Sequence, residues 1–179
     1  MKFCEPPSLT IQASEARGMR EHAVRARPNE CCGALIVRAN VRWRIEGQNA
    51  ELDRPTHAYR MDDETTARIK DNLADGWTLL AVYHSHLHGT PRFSRQDQRH
   101  AARGWWRWRR PIAPGTVHIV IAINWRRLGD VVYAAYGWSP DARRFLPIPM
   151  IVEGMATRKV VHAPDRREKA LHFTEGSTM

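Results

Sequence analysis

The sequence predicts an α/β (α+β) fold in which a curved, mixed β-sheet is flanked by helices. The helix and strand patterns follow the order helix, strands, helix, strand, helix, strands, which differs from the regular alternation of a doubly wound parallel sheet. A short apolar run in the middle of the chain is typical of a central strand that is buried on both faces. With 179 residues, the chain is long enough to form one domain around a full hydrophobic core.

The first third of the chain predicts a helix and then two paired strands. Between Ser14 and Arg27, apolar residues recur every three or four positions, which places them on one face of a helix. After a turn, Ala34–Arg38 and Val41–Ile45 have strand patterns and are separated by a tight connection. We therefore expect these two strands to pair.

The middle of the chain predicts a second helix and the central strand. Three acidic residues, 62–64, mark the start of this helix, because the helix dipole favours negative charge there. Its core-facing residues would include Ile69 and Leu73. The apolar run Leu79–Tyr83 predicts the buried strand, which ends at His84.

The remainder of the chain predicts a third helix over Ser94–Arg103 and then more strands. From about residue 154 onward the chain becomes polar and charged, without helical or strand periodicity. We therefore predict one domain over residues 1–153 and a polar tail over residues 154–179. The three later strands are predicted at Val117–Ile123, Val131–Tyr136 and Phe145–Val152.

Composition restricts the compartment and the kind of partner. The net charge of +9, from 28 Lys+Arg against 19 Asp+Glu, suits an acidic protein, nucleic acid or an anionic membrane. The three cysteines, Cys4, Cys31 and Cys32, are odd in number and two are adjacent, so a secreted disulfide framework is not expected. The sequence has no signal-peptide pattern and no membrane-spanning stretch. We predict a soluble, cytoplasmic protein that does not bind membranes.

The segment from His84 to Asp97, HSHLHGTPRFSRQD, contains the most informative motif. Histidines two residues apart at the end of a strand point to the same side, so His84 and His86 can both reach one metal ion. Asp97, in the first turn of the next helix, can add a carboxylate oxygen. Three ligands of this kind leave one tetrahedral position open, which is typical of a catalytic zinc site.

This motif resembles that of the JAMM/MPN metallopeptidase family, in which a His-x-His pair is followed by seven residues and Ser-x-x-Asp. The spacing from His86 to Ser94 and Asp97 matches it. The upstream segment Pro28–Gly33 is similar to the P-x-E-x-C-G element of the family and contains Glu30. The resemblance covers residues 8–153, including Asn49, and implies a single MPN/JAB-like domain with a cytidine-deaminase-like sheet.

The resemblance also implies a role for each motif residue. His84, His86 and Asp97 would bind Zn²⁺. Glu30 would take a proton from water and later pass it to the leaving amine, as a carboxylate beside a metal can do. Ser94 would donate a hydrogen bond to the oxyanion that forms when the carbonyl is attacked.

The sequence departs from the family pattern at two positions. Leu87 follows the second histidine and Phe93 precedes the serine, where similar proteins usually have proline. Neither proline is a ligand, so we expect these changes to affect the rim of the cleft more than metal binding.

Other interpretations apply to several motif residues. Ser94 and Asp97 also form a helix capping box. His88 extends the histidine alternation and could be a third histidine ligand or an exposed residue, and His100 could orient Asp97 or be a surface residue. Cys31 and Cys32 are more typical of small core residues than of thiolate ligands.

The segment 103–111, RGWWRWRRP, is rich in arginine and tryptophan. It could contact a partner, through Trp105, Trp106 and Trp108, or pack on the core with a solvated basic face.

The resemblance implies a zinc-dependent metallopeptidase or isopeptidase that cleaves the amide bond after the C-terminus of a ubiquitin-like protein. Such a protein would act by deconjugation or precursor processing, next to activating and conjugating enzymes in an antiphage pathway, or in a sulfur-carrier pathway. The extended tail of the substrate would add to the edge of the sheet. The alternative is a RadC-like JAMM protein associated with nucleic acid. The net charge favours this alternative, whereas the absence of a separate DNA-binding domain before the motif argues against it. A scaffold without catalysis is disfavoured because each catalytic position is intact.

Overall fold

The computed structural model describes residues 8–87, 90–103, 110–113, 115–124, 131–154 and 159–161. Within these residues it contains three helices: α1 (Ala13–Arg25), α2 (Asp63–Ala74) and α3 (Arg95–Ala101). None of them combines the length and apolar character that a membrane-spanning helix needs. Helix α1 agrees with the sequence prediction to within two residues at each end, and α2 begins within the predicted acidic residues 62–64.

Eleven strands are present in the described part of the chain. The first six are β1 (Leu9–Gln12), β2 (Cys32–Arg38), β3 (Val41–Gly47), β4 (Thr78–His86), β5 (Ala102–Arg103) and β6 (Arg110–Pro111). The others are β7 (Val117–Ile123), β8 (Val131–Ser139), β9 (Arg144–Ile148), β10 (Met150–Glu153) and β11 (Lys159–Val161).

The main sheet has six strands in the order β3-β2-β4-β7-β8-β9. Strands β4 and β7 are parallel, whereas every other neighbouring pair in this sheet is antiparallel. The predicted mixed sheet with helices is therefore confirmed, and β2 and β3 pair as expected. A second, three-stranded sheet has the order β1-β10-β11, and β5 pairs with β6 alone.

The central strand β4 separates two hydrophobic clusters. Alternate residues on one face of the sheet, including Tyr83 and Ile119, pack with Met19 of α1. The opposite face carries Val120, which belongs with Phe93, from the segment before α3, to the second cluster. Because side chains alternate along a strand, His84 and His86 point away from α1 and toward the face where α3 lies.

Two sequence predictions about strands differ from the structure. The predicted strand Phe145–Val152 is divided at Pro149 into β9 and β10, which belong to different sheets. Pro149 has no N–H to donate at the point where the chain passes from one sheet to the other, whereas Pro147 is accommodated within β9 because β9 is an edge strand. Strand β1 was not predicted at all, because its four residues pair with β10, about 140 residues away, and local periodicity does not reveal such contacts.

The third helix and one core residue also differ from prediction. Helix α3 ends at Ala101, not at Arg103, because Ala102 adopts an extended conformation and pairs with Pro111. Leu73 of α2 is 38% exposed, whereas Ile69 is buried as expected. Within the predicted tail, residues 159–161 form β11 and pair with β10, and the tail boundary itself stays a prediction.

Candidate active site

Glu30 lies in the connection between α1 and β2, and hydrogen bonds fix its backbone beside the end of β4. Its N–H donates to the carbonyl of Pro55 at 2.7 Å. The next residue, Cys31, donates its N–H to the hydroxyl of Ser85 at 2.8 Å and accepts a bond from the Ser85 N–H at 3.0 Å. Since Ser85 lies between His84 and His86, these bonds hold Glu30 next to both histidines.

The two histidines direct their ring nitrogens to one point. His84 is fully buried and His86 is partly buried. Their Nε2 atoms are 3.1 Å apart. The side-chain alternation of β4 produces this convergence, as expected from the spacing.

Asp97 completes the group from the first turn of α3. Its Oδ1 lies 3.4 Å from Nε2 of His84, and its Oδ2 lies 3.5 Å from Nε2 of His86. Burial alone would raise the pKa of Asp97, but hydrogen bonds with His84 and His86 outweigh this effect and hold the pKa well below its usual range. The carboxylate is therefore ionised at neutral pH.

This donor set fits a divalent metal ion. One ligand atom from each of His84, His86 and Asp97 lies within 4.8 Å of the others. Two imidazole nitrogens and one carboxylate oxygen suit zinc, and three protein ligands are the number found in catalytic zinc sites. The structure thus brings the three predicted ligands together in a group that could bind a metal ion.

The Glu30 side chain is a buried carboxyl beside this group. It is 4% exposed. Burial raises the pKa of Glu30 to about 7, the positive charge of His86 opposes this rise, and the negative charge of Asp97 adds to it. A group that titrates near neutral pH can both accept and release a proton under ordinary conditions.

Ser94 forms the capping box that its sequence pattern predicted. The Ser94 hydroxyl accepts a hydrogen bond from the Asp97 N–H at 3.1 Å, and the Ser94 N–H donates to Oδ2 of Asp97 at 2.6 Å. These bonds also orient the Asp97 carboxylate. A hydroxyl that accepts one bond keeps its own proton for donation, so the oxyanion role of Ser94 is compatible with capping and stays a prediction.

Comparison with known proteins assigns the family. A model of the prokaryotic homologs of the JAB domain matches residues 12–131, which is more than half of the chain. The chain belongs to the prokaryotic JAB family. This confirms the resemblance to JAB/MPN proteins that the motif indicated.

Solved structures are similar to this JAB-family chain over most of its length. A protein of Desulfitobacterium hafniense, known from a solution structure, is 25% identical, with a TM-score of 0.59, and the match covers 81% of this chain and 92% of that one. A protein of Salinibacter ruber, also from a solution structure, is 22% identical, with a TM-score of 0.48 and coverage of 93% and 99%. A search of curated proteins gives no match.

The structure also bears on the competing interpretations. Cys31 and Cys32 of this JAB-family chain are buried free cysteines, and burial raises the pKa of each thiol to about 12. They are neutral thiols at physiological pH, as expected for core residues. His100 is exposed, with its ring edge-on to Tyr59 at 6.3 Å between centroids.

Two interpretations fall on residues outside the described part of the chain. These are the third-histidine role of His88 and the partner contacts of Trp105, Trp106 and Trp108. Both stay predictions.

Tyr59, for which the sequence predicts no role, lies against the candidate metal-binding group. Its ring stacks on His84, with 4.4 Å between centroids and an interplanar angle of 22°. Tyr59 lies between β3 and α2, in an irregular segment, and belongs to no motif with a known spacing. A sequence pattern therefore gave no signal for this contact.

Proposed function

We propose that this JAB-family protein is a zinc-dependent metallopeptidase that cleaves the amide bond after the C-terminus of a ubiquitin-like protein. The observation that most supports the proposal is that His84, His86 and Asp97 converge beside the buried carboxyl of Glu30. Two imidazoles and a carboxylate would hold the zinc ion. When bound, the ion would polarise the scissile carbonyl and activate a water molecule.

Glu30 supplies the proton transfer in this proposal. At neutral pH a substantial part of its population is ionised, since burial raises its pKa only to about 7. The carboxylate takes a proton from the attacking water, and the resulting carboxylic acid gives it to the leaving amine as the C–N bond breaks. The backbone bonds of Glu30 and Cys31 fix the segment of chain that carries this side chain.

Ser94 and Asp97 have complementary roles. The Asp97 carboxylate, held ionised and oriented by the capping box, contributes the negative charge of the ligand set. The Ser94 hydroxyl donates its remaining proton to the oxyanion of the tetrahedral intermediate. One helix terminus thus supplies both a ligand and an oxyanion donor.

Surface charge supports an acidic protein as the substrate. Four arginines, Arg92, Arg95, Arg99 and Arg103, are exposed around α3, and none forms an ion pair with another described residue. Unpaired charge next to a site attracts a partner of opposite sign. In this proposal the partner is a ubiquitin-like protein with an acidic surface, together with its conjugates, and the enzyme acts in the cytoplasm.

Glu30→Gln tests this function most directly, because it preserves side-chain shape and removes the base. We expect the variant to retain one zinc ion per chain and to lose hydrolysis of a ubiquitin-like protein fused through its C-terminus to a reporter. Zinc is measured by elemental analysis, and cleavage by gel electrophoresis and mass spectrometry. Glu64→Gln, which changes an exposed carboxyl on α2, is the matched control and should remain active.

Two outcomes would contradict the proposal. Equal cleavage by wild type and Glu30→Gln would exclude Glu30 as the base. Retention of zinc in His84→Ala, His86→Ala and Asp97→Ala would show that the metal is bound elsewhere.

A further inference from the structure

The imidazole of His84 lacks the hydrogen bond that normally orients a metal-ligating histidine. Such a histidine usually donates its second ring N–H to a carboxylate, a carbonyl or water. In His84 the Nε2 atom faces Asp97, and the buried Nδ1 atom has no hydrogen-bond partner among the described residues. His86, by contrast, has a hydrogen bond with the backbone of Thr90.

Aromatic rings occupy the positions beside His84 instead. The Tyr59 ring stacks on the imidazole at 4.4 Å, nearly parallel to it. Phe93 lies 6.1 Å from the imidazole, at an interplanar angle of 54°. Phe93 is itself fixed, because it packs with Tyr136 and Phe145 in a buried cluster. The imidazole can therefore rotate little without losing contact with these rings.

Asn49 fixes the backbone on both sides of Tyr59. Its side-chain Nδ2 donates to the carbonyl of Ala58 at 3.0 Å, and its Oδ1 accepts from the N–H of Arg60 at 3.1 Å. The same Nδ2 donates to the carbonyl of Glu30 at 3.0 Å. One amide group thus joins the segment that carries Tyr59 to the segment that carries the proposed base.

We propose that Tyr59, held by Asn49, is a positioning residue that fixes the His84 ring for metal binding by stacking in place of a hydrogen bond. This inference rests on the metal site of the proposed function. In this proposal the aromatic ring of Tyr59 orients His84, and the Tyr59 hydroxyl has no role. Aromatic rings in contact prefer particular relative orientations, so the stack favours one orientation of the His84 ring.

The test compares Tyr59→Phe, which keeps the ring, with Tyr59→Leu, which removes it. Co²⁺ is titrated into metal-free protein, and its visible absorption reports both the Kd and the ligand geometry. We expect Tyr59→Phe to bind within about twofold of wild type with the same spectrum. Tyr59→Leu should bind about 10- to 100-fold more weakly, the usual loss when a group that orients a ligand is removed, and with an altered spectrum.

Trp138→Leu is the control for general loosening of the aromatic cluster. Trp138 packs on Phe145 and makes no ring contact with His84. This variant should retain wild-type Co²⁺ affinity and spectrum even if its Tm falls. Thermal unfolding with a chelator present separates loss of stability from loss of affinity. If Tyr59→Leu does not fold, Tyr59→Met is titrated in its place, because methionine fills the same space with a flexible apolar side chain that has no ring.

The outcomes distinguish this inference from the proposed function. Wild-type affinity and spectrum in Tyr59→Leu would overturn the positioning role while leaving the metal site intact. An equal loss in Tyr59→Phe and Tyr59→Leu would assign the effect to the hydroxyl and would overturn the stacking argument. Absence of Co²⁺ and Zn²⁺ binding by the wild type would overturn the proposed function itself.

Discussion

Burial of the Glu30 carboxyl makes the stability of the metal-free protein depend on pH. In the folded state the pKa is about 7, against an ordinary value of 4.5. Between these two values the folded chain holds a proton that the unfolded chain has released. Stability therefore falls as the pH rises from about 4.5 to about 7, because ionisation favours the unfolded state.

We expect Glu30→Gln to remove this dependence. With a chelator present, the variant should be more stable than wild type at pH 8 by up to about 3 kcal/mol, since one pKa unit corresponds to about 1.4 kcal/mol. The difference should shrink toward pH 4. Urea denaturation across this pH range measures it, with Glu64→Gln as the control. A constant difference between Glu30→Gln and wild type at all pH values would show that the Glu30 pKa is not raised.

Ser94 has two separable effects, one on folding and one on the proposed reaction. Loss of the cap in Ser94→Ala should cost about 1 kcal/mol of stability. Loss of an oxyanion donor should lower kcat by a factor on the order of 10²–10³. Melting curves measure the first effect, and steady-state kinetics of the zinc-loaded enzyme measure the second. A drop in Tm with unchanged kcat would leave Ser94 as a helix cap only.

Close packing of β2 between its neighbours requires glycine at position 33. A Cβ atom added to Gly33 would lie 2.5 Å from the backbone oxygen of Ile45 and would also clash with the Tyr83 ring. A Cβ added to Gly18 of α1 would instead meet the guanidinium of Arg44, which is the end of a flexible side chain. The two glycines should therefore tolerate alanine very differently.

We expect Gly33→Ala to destabilise the fold by about 1–3 kcal/mol, the usual cost of overpacking. Gly18→Ala should stay within about 1 kcal/mol of wild type, because alanine favours a helix and the Arg44 side chain can move. Chemical denaturation of both variants is the measurement. Similar stabilities for the two would mean that β3 shifts easily away from β2.

How far the sequence predicts each element depends on the range of the contacts that define it. The central strand and its histidines were predicted because a buried apolar run and a spacing of two residues between histidines are local patterns. Strand β1 was missed because it exists only through its pairing with β10. Motif spacing predicted that His84, His86 and Asp97 lie together, and they do. The Tyr59 contact instead depends on Asn49, a residue ten positions earlier that shapes an irregular segment.

The net charge of +9 on the chain is compatible with an acidic protein or a nucleic acid as the partner. The exposed arginines near α3 make the surface around the site basic. Arg95 and Arg99 are four residues apart on this short helix, so their Cα atoms are separated by about 6 Å along its axis. A double charge reversal there changes the field next to Asp97 without altering a buried contact.

We expect Arg95→Glu combined with Arg99→Glu to raise KM for a ubiquitin-like protein substrate about tenfold at low salt. Long-range attraction is screened over about 8 Å at physiological ionic strength, so the effect should shrink as salt is added. A short peptide with the same cleavage site has no acidic surface and should show a smaller change, and the ratio of the two kcat/KM values is the readout.

Arg68→Glu with Lys70→Glu on α2, both exposed, makes the same change in net charge and is the matched control. An equal rise in KM in the control would assign the effect to net charge. Reduced DNA binding by Arg95→Glu with Arg99→Glu, with unchanged hydrolysis of the protein substrate, would favour a nucleic-acid partner.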